Sequence, residues 1–303
     1  MSTTRKTLFL VDGHAVIYRG FFGFKNNPMI TSKGVNTGAT YSMAKLLTTL
    51  LKNYSVTHLG VIFDPPYRTW RKDYYPEYKA NREHEDDVTP QLEMSYSLIK
   101  TWGIFTGAYR PLEADDVLGI LTKKAVAEGF NVVIATKDKD LMQLINDKDH
   151  VSMLDLGKTI GKDTASFIDE QGVINRFNVR ADQIVDYLTL VGDVADNVPG
   201  VKGCGKKGAA DLLKKYDTLE EIFKHTDEMT PAKKANFENA TETIKRDKHL
   251  ITLAFNYGVP IELDDMKVPP IHNFKLFEQL EELEFNSIIK QLSEDSIVPQ
   301  ELK

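Results

Sequence analysis

The sequence predicts an α/β fold, with a mostly parallel central sheet flanked by helices and a helical region after it. The first observation is a set of four short apolar or β-branched runs, each bounded by Asp, Gly or charged residues, as expected for buried strands. These runs cover residues 7–11, 58–63, 131–135 and 150–154. The second observation is the three-and-four spacing of apolar residues over 43–51 and 117–126, which gives a helix one apolar face. Alternating strands and helices are typical of a parallel sheet.

From about residue 164 the pattern changes to helices without strands. Helical segments are predicted over 182–191, 208–215, 219–223, 231–245 and 273–292. We therefore expect an α/β domain over residues 1–163, a helical subdomain over 164–292 and a tail over 293–303.

The composition is that of a folded globular protein, with 303 residues, 42% of them apolar and 27% charged. The longest apolar runs are far shorter than the roughly 20 residues that a bilayer-spanning helix needs. We therefore expect a cytoplasmic protein with no membrane partner. Cys204 is the single cysteine, which excludes a disulfide within the chain and a cysteine-based zinc site.

Acidic residues follow the predicted strands at the points where those strands end. Asp12 ends the first strand, Asp64 follows the second, and Asp138 and Asp140 follow the third. The carboxyl ends of parallel strands meet at one edge of a sheet, where open α/β folds bind ligands. Three separated parts of the chain are therefore predicted to bring carboxylates to one edge.

Two further acidic blocks extend this pattern. Glu113 and Asp116 are three residues apart at the start of a predicted helix, with Asp115 between them, and Asp193 and Asp196 repeat the spacing. Each acid taken alone has a simpler interpretation as a helix cap or a turn residue. All nine together favour a metal site, because two unit charges about 4 Å apart repel by about 4 kcal/mol at an intermediate dielectric.

Hard divalent cations relieve such repulsion, and an all-carboxylate site favours Mg²⁺ or Mn²⁺, since zinc prefers nitrogen and sulfur ligands. Two such ions activate a water and neutralise the leaving oxygen in phosphoryl chemistry. Hydrolysis of a phosphodiester is therefore the expected reaction. The sequence contains no Walker-A lysine loop, no G-x-S-x-G elbow and no H-E-x-x-H motif.

Two segments suit nucleic acid. Residues 66–88 are too aromatic for a linker and too charged for a core, and they combine rings for base stacking with cations for phosphate. Residues 199–215 are rich in glycine and lysine and lead from a turn into a helix, as suits a duplex backbone. The simpler alternatives are a surface loop and a solvated helix–helix turn. The candidate DNA contacts are Tyr18, Arg19, Arg71, Tyr78, Lys79, Arg82, Lys202, Gly203, Gly205, Lys206 and Lys207.

Seven motifs occur in order along the chain. They are LVDGH (10–14), FD (63–64), YKANR (78–82), EADD (113–116), TKDKDL (136–141), VGDVADNVPG (191–200) and KGCG (202–205). Together they resemble the 5′ nuclease of bacterial DNA polymerase I and its stand-alone phage and bacterial relatives in the flap-endonuclease superfamily. The resemblance implies a resolvase-like, PIN-like α/β domain and a helical arch over about 66–100. It also implies a DNA-binding helix-hairpin-helix over about 186–216, commonly with a bound K⁺.

The resemblance implies 5′-3′ exonuclease and structure-specific 5′ flap endonuclease activity in DNA replication or repair, on RNA primers or flaps. It places all nine acids in the family's metal cluster and makes Lys79 and Arg82 arch cations near the scissile phosphate, with Asp116 also catalytic. Arg71 matches another basic arch position. On this basis one metal ion is assigned to Asp12, Asp64, Glu113, Asp115, Asp116 and Asp138, and a second to Asp140, Asp193 and Asp196.

The expected partner is DNA with a 5′ flap or 5′ end, or an RNA–DNA hybrid, bound by a monomer. Cys204 and Gly208 depart from the family's usual hairpin pattern, which has an aliphatic residue and a hydroxyl there. Two alternatives stay open. A PIN-like ribonuclease would share the acids, although simple PIN domains lack the basic hairpin. A non-catalytic DNA-structure-binding protein would be expected to have lost some of the carboxylates.

Overall fold

A six-stranded sheet forms the centre of the part of the chain that the computed structural model describes, residues 5–82, 87–158, 166–270 and 273–293. Its strands are β1 (Thr7–Asp12), β2 (His58–Ile62), β3 (Phe105–Gly107), β4 (Asn131–Thr136), β5 (Val151–Asp155) and β6 (Phe167–Ile168). The strand order is β3-β2-β1-β4-β5-β6. All neighbouring pairs are parallel except β5 and β6, so the predicted mostly parallel sheet is confirmed.

Helices flank this sheet and form the second region. The earlier helices are α1 (Gly13–Phe24), α2 (Gly38–Asn53), α3 (Trp70–Tyr74), α4 (Val88–Trp102) and α5 (Ala114–Ala127). The later helices are α6 (Glu170–Phe177), α7 (Ile184–Val191), α8 (Lys206–Tyr216), α9 (Leu219–Lys224), α10 (Pro231–Ile251), α11 (Phe274–Glu282) and α12 (Asn286–Ser293). Short 3-10 helices cover Asp140–Leu144, Ala181–Gln183, Thr226–Glu228 and Leu263–Met266. No helix in these ranges combines the length and apolarity needed to cross a bilayer.

Side chains of β1 alternate between two apolar cores, one on each face of the sheet. Phe9 and Val11 pack into the core that includes buried residues of α1, α2 and α4. Leu8 and Leu10 pack into the opposite core, with α5. A strand that is buried on both faces reads as a continuous apolar run in the sequence. This is why β1, β2, β4 and β5 are predictable from the sequence.

Two strands escape prediction because they are too short to show a pattern. β3 has three residues and β6 has two. β6 pairs with β5 through Phe167 and Ile168. The sheet therefore continues past residue 163, which corrects the predicted end of the α/β domain.

The last two helices pack against the α/β core rather than against the helical region. Leu280, Phe285, Ile288 and Leu292 belong to the same buried core as Phe9. A separate core holds the buried apolar residues of α6 to α10. The predicted helical subdomain, 164–292, therefore extends too far, while most of the predicted tail, 294–303, lies outside the described residues.

The segment predicted as an arch, 66–100, divides into two parts. Residues 66–82 contain α3 and border the cleft described below. By contrast, α4 buries Leu98, Ile99 and Trp102 in the core beneath α2. Val88, in the first turn of α4, is buried in the same core, so the part of the predicted arch over 88–100 is a core helix. Residues 83–86 lie outside the described part of the chain.

Replacing Phe285 with alanine is expected to lower the free energy of unfolding by about 3–5 kcal/mol, because it removes a buried ring. Phe285 is 1% exposed and packs edge-on against Tyr41 of α2, with 5.3 Å between ring centroids. Urea denaturation followed by circular dichroism measures the change. Phe274→Ala is the matched control in α11, because that ring is 78% exposed, and it should change stability by less than about 0.5 kcal/mol. Equal losses in the two variants would contradict the packing described for the C-terminal helices.

Candidate active site

A cleft of about 1300 Å³ opens where β1, β2 and β4 end. These strands are neighbours in a parallel arrangement, so their carboxyl ends lie together, as the sequence pattern predicts. The predicted site residues that line the cleft are Asp12, Tyr18, Asp64, Lys79, Arg82, Asp115, Asp138, Asp193, Asp196 and Lys206.

Backbone and hydroxyl groups fix the two acids at the ends of β1 and β2. Asp12 caps α1, since its Oδ1 accepts a hydrogen bond from the Ala15 amide at 2.9 Å. Its Oδ2 accepts one from the Thr136 hydroxyl at 2.9 Å. Asp64 Oδ1 accepts a hydrogen bond from the Ala114 amide at 2.7 Å. Asp12 therefore caps a helix and still lines the cleft, so a local structural role is compatible with a place in the site.

Burial and mutual repulsion raise the pKa of several acids in this cluster. The pKa of Asp12 is raised to about 6, chiefly by burial and further by the charges of Asp64 and Asp138. Burial also raises the pKa of Asp115 and of Asp140 well above the usual range, and the charge of Asp138 adds to both shifts. These acids from separate chain segments thus lie close enough to repel one another.

Asp140, Asp193 and Asp196 form an acidic trio in which one carboxylate oxygen from each residue lies within 4.8 Å of the others. The buried Oδ1 of Asp140 has no hydrogen-bond partner in the described residues. Lys139 contacts Asp193 at 2.8 Å, and Arg82 contacts Asp196 at 2.6 Å. An unpartnered carboxylate oxygen beside two other oxygen donors suits a hard divalent cation. Within the described ranges, no other set of three acids, histidines or cysteines meets this spacing.

Glu113, although predicted as a metal ligand, contacts cations. Its Oε2 accepts a hydrogen bond from Lys79 Nζ at 2.8 Å, and Arg71 Nη1 lies 3.5 Å from the same oxygen. Burial alone would raise the pKa of Glu113, but Lys79 and Arg71 outweigh it and lower that pKa to about 2. Burial likewise would lower the pKa of Lys79, but Glu113 and Asp196 raise it above the usual value. The Lys79 ammonium therefore stays charged.

A tight turn places Lys79 and Arg82 against the acidic trio. Lys79 has a φ of 55°, a left-handed conformation that is uncommon for lysine, and its amide donates to the Asp196 carbonyl at 3.1 Å. Arg82 Nη2 donates to Asp196 Oδ1 at 2.6 Å, and the Arg82 side chain is 51% exposed. The two predicted arch cations thus contact the predicted acids directly.

Two residues predicted to contact DNA are buried instead. Arg71 is 3% exposed and donates to both oxygens of Asp116, at 2.7 and 2.8 Å. Its Nε donates to the Leu250 carbonyl at 2.7 Å. Tyr78 is also 3% exposed, and its hydroxyl donates to Asp196 at 2.9 Å. This corrects the predicted DNA-contacting roles of Arg71 and Tyr78, because their polar groups bind other parts of the protein.

Asp116, which is predicted to be catalytic and a metal ligand, is the partner of Arg71 in this ion pair. Asp116 is fully buried. Beyond its two bonds to Arg71, its Oδ2 accepts from the Trp70 indole at 2.9 Å and its Oδ1 accepts from the Ala254 amide at 2.9 Å. Asp116 therefore joins α3 and α5 to the segment after α10.

The predicted contacts on α1 and before α8 lie at the surface or in the cleft. Tyr18 lines the cleft, and Arg19 donates to the Lys158 carbonyl at 3.0 Å. The five predicted DNA contacts in the turn before α8 and in the first two residues of that helix are exposed: Lys202, Gly203, Gly205, Lys206 and Lys207.

Sequence reasoning missed several residues that line this cleft, among them Phe22, Lys139 and Arg176. Phe22 lines it, is half exposed and stacks on Tyr18 at 6.2 Å between ring centroids, and the four-residue spacing from Tyr18 could have indicated it. Lys139 stands between two predicted ligands, so its pairing with Asp193 had a signal in the sequence. Arg176 had no such signal.

Replacing Arg71 with methionine is expected to cost about 3–5 kcal/mol of unfolding free energy, because Asp116 becomes a buried, unpaired charge. Urea denaturation measures this loss. Arg68→Met is the matched control, since Arg68 is 53% exposed and pairs with the exposed Asp73, and it should cost less than about 1 kcal/mol. Replacing Arg71 and Asp116 together, by methionine and leucine, should recover much of the loss. A double variant as unstable as the single one would refute the pairing.

In EDTA, the free energy of unfolding is expected to fall as the pH rises between about 4 and 7. The pKa of Asp12 is about 6 in the folded chain against 3.8 ordinarily, so its stabilising contribution is complete below 3.8 and is lost as the pH passes 6. That loss is on the order of 3 kcal/mol. Thermal unfolding across this pH range measures it.

The variant Asp12→Asn should flatten this dependence, and Mn²⁺ at neutral pH should restore stability. The pKa of Glu113 is lowered to about 2 from its usual value of 4.5. Glu113 therefore lowers the free energy of unfolding as the pH falls below 4.5, which is the opposite of the effect of Asp12. A metal-free stability that rises throughout the range from about pH 4 to 7 would contradict the expected effect of the raised acids.

Comparison with known proteins matches both regions of the chain. A family model described as "5′-3′ exonuclease, N-terminal resolvase-like domain" matches residues 7–178, and one described as "5′-3′ exonuclease, C-terminal SAM fold" matches 179–274. A 5′-3′ exonuclease of Aquifex aeolicus is 34% identical over 292 residues, covering 95% of each chain. DNA polymerase I of Bacillus subtilis is 32% identical over 297 residues, 97% of this chain. The chain spans about a third of that polymerase, 33% of its length.

Solved structures share the fold. The flap endonuclease of bacteriophage T5, in a pseudo-enzyme–product complex with DNA and metal ions, has a TM-score of 0.66 and 20% identity, covering 95% of this chain and all of the other. T5 5′-exonuclease with bound divalent zinc has a TM-score of 0.68 at the same identity and coverage. Because its two regions match both family models and a full-length relative shares 34% of its residues, the chain belongs to the 5′-3′ exonuclease family.

Proposed function

We propose that the chain is a divalent-metal-dependent 5′-3′ exonuclease and structure-specific 5′ flap endonuclease that hydrolyses DNA phosphodiester bonds. The observation that carries this proposal is the contact of Lys79 and Arg82 with Asp196 of the acidic trio, in a cleft lined by further carboxylates. Carboxylates that suit a hard metal, beside fixed cations, form the arrangement that phosphoryl transfer requires. The likeness to DNA polymerase I supports a role in replication or repair, where RNA primers or flaps are removed.

The acids suit two or more Mg²⁺ or Mn²⁺ ions, since every donor is an oxygen atom. One ion would be held by Asp140, Asp193 and Asp196. A second would be held by the remaining acids that line the cleft, Asp12, Asp64, Asp115 and Asp138. Ions bound at these positions would activate a water and neutralise the leaving oxygen during in-line attack. Binding of K⁺ in the loop between α7 and α8 stays a prediction.

Lys79 and Arg82 would stabilise the charge that develops on the scissile phosphate. Glu113 holds the Lys79 ammonium at 2.8 Å, so this cation is charged and positioned before substrate binds. Asp116 would act as a positioning residue, since both its oxygens are engaged by Arg71, Trp70 and backbone amides. Through the start of α5 it would orient Glu113 and Asp115 toward their partners.

The exposed turn before α8 would hold the duplex next to a 5′ flap or 5′ end. Its lysines carry the positive charge that displaces counterions from a duplex backbone. Lys206 also lines the cleft, so a backbone held on this turn would lead toward the acids. We expect a monomer to bind this DNA, with an RNA–DNA hybrid as a second substrate.

The test is cleavage of a 5′-labelled flap duplex, with matched single-stranded RNA, in Mg²⁺, Mn²⁺ or EDTA. We expect cutting near the flap junction that requires the metal, and we expect Asp115→Asn to abolish it. Binding without cutting in either metal would overturn the proposed hydrolysis and leave a DNA-structure-binding role. Preferential cutting of RNA would instead indicate a PIN-like ribonuclease.

In the same assay, Lys79→Ala should lower the single-turnover cleavage rate by about 100- to 1000-fold, because a fixed cation is lost from the transition state. Affinity for the flap duplex, measured in Ca²⁺, should change little, since the turn before α8 supplies most of the charge that binds the duplex. Lys290→Ala on α12 is the control, because that exposed lysine lies outside the cleft. Equal losses of rate and affinity would contradict the catalytic role of Lys79.

A further inference from the structure

Arg176 is a cation in the cleft to which the proposed mechanism assigns no role. It lies in the last turn of α6 and lines the same cleft as the acids. Its side chain is 43% exposed, and its Nη1 donates to Asp155 Oδ2 at 3.2 Å. Within the described residues, its other guanidinium nitrogens have no hydrogen-bond partner. Arg176 therefore keeps donors available for a ligand in the cleft.

Asp155 orients this arginine. It ends β5 at the same edge of the sheet as the cluster acids, and it is 5% exposed. Its Oδ1 accepts a hydrogen bond from the Gly157 amide at 2.8 Å, which fixes the carboxylate, and its Oδ2 remains for Arg176. The guanidinium also lies 5.6 Å from the centre of the Phe177 ring. Asp155, which orients Arg176, is thus itself fixed at the edge of the sheet.

The pairing of Arg176 differs from that of other cations in the cleft. Arg82 and Lys139 each pair with an acid of the proposed metal sites, Asp196 and Asp193 respectively, and Lys79 lies 4.0 Å from Asp196 while it pairs with Glu113. Asp155 is outside the acidic trio and does not line the cleft. The contact that holds Arg176 in place therefore engages none of the carboxylates that are proposed to bind metal.

Arg176 shares the cleft with a lysine that follows the turn before α8. Lys206, the first residue of α8, lines the same cleft. Arginine is well suited to phosphate, because its planar fork of donors binds two phosphate oxygens at once. The cleft thus offers a DNA backbone an anchored cation in addition to Lys206.

We propose that Arg176, oriented by Asp155, binds a backbone phosphate of the duplex that the turn before α8 holds. This role rests on the proposed function for the identity of the ligand as DNA. Arg176 acts as a binding residue and Asp155 as its positioning residue.

The test is equilibrium binding of a labelled flap duplex, and of a single strand of the same sequence, in EDTA over a series of KCl concentrations. Arg176→Ala should weaken duplex binding about tenfold at low salt and reduce the slope of log affinity against log salt by about 1. Arg176→Lys keeps the charge and should keep the slope. Asp155→Asn should weaken binding less and leave the slope unchanged, because the arginine remains.

Arg180→Ala is the matched control. Arg180 is 52% exposed and pairs with Asp182 and Asp217, and it does not line the cleft. It should leave affinity and slope unchanged, and thermal unfolding of all variants checks that they fold.

An unchanged slope for Arg176→Ala, or the same loss for Arg180→Ala, would overturn the proposal. A loss confined to the single strand would also overturn it. Because this measurement needs no turnover, a wild-type protein that binds the duplex without cutting it would refute the nuclease function alone.

Discussion

Repulsion among buried carboxylates at the carboxyl edge of the sheet is the constraint that organises this structure. Burial raises the pKa of Asp12, Asp115 and Asp140, and neighbouring acids add to the effect. Cations from distant segments offset part of the repulsion, as Lys79 does at Glu113 and Lys139 at Asp193. The repulsion that these cations leave uncompensated favours the binding of divalent metal ions, because carboxylate oxygens are the ligands that hard cations prefer. The same electrostatics thus explains both the fixed cations and the suitability for metal.

The buried pair of Arg71 and Asp116 ties the two regions of the chain to this edge. Arg71 also donates to the carbonyls of Leu250 and Thr252, at the end of α10, while Asp116 accepts from Ala254. A buried ion pair is weak evidence of net stability, because desolvation offsets much of its attraction. Its value here is geometric, since it fixes α3, α5 and the end of α10 relative to one another. The ion pair therefore fixes the position of the helical region relative to the cleft.

Prediction from the sequence was effective where local pattern and burial coincide. The four strands buried on both faces read as apolar runs, and the acids after three of them were predictable because strand ends meet in a parallel sheet. β3 and β6 escaped, since two or three residues carry no periodicity. Arg71 and Tyr78 are predicted as DNA contacts because they lie in a segment that combines aromatic rings with cations. Their burial depends on Asp116 and Asp196, which are distant in the chain.

The α/β class, the acids that meet at one edge and the basic turn before α8 are predictable from the sequence, because they follow from residue type and local spacing. Which acids contact one another, and which pair with cations, depends on the tertiary fold. It directed Asp116 to Arg71, Glu113 to Lys79 and Arg176 to Asp155. The physical reason is that pairing depends on side-chain direction and on packing between segments far apart in the chain, and local spacing specifies neither.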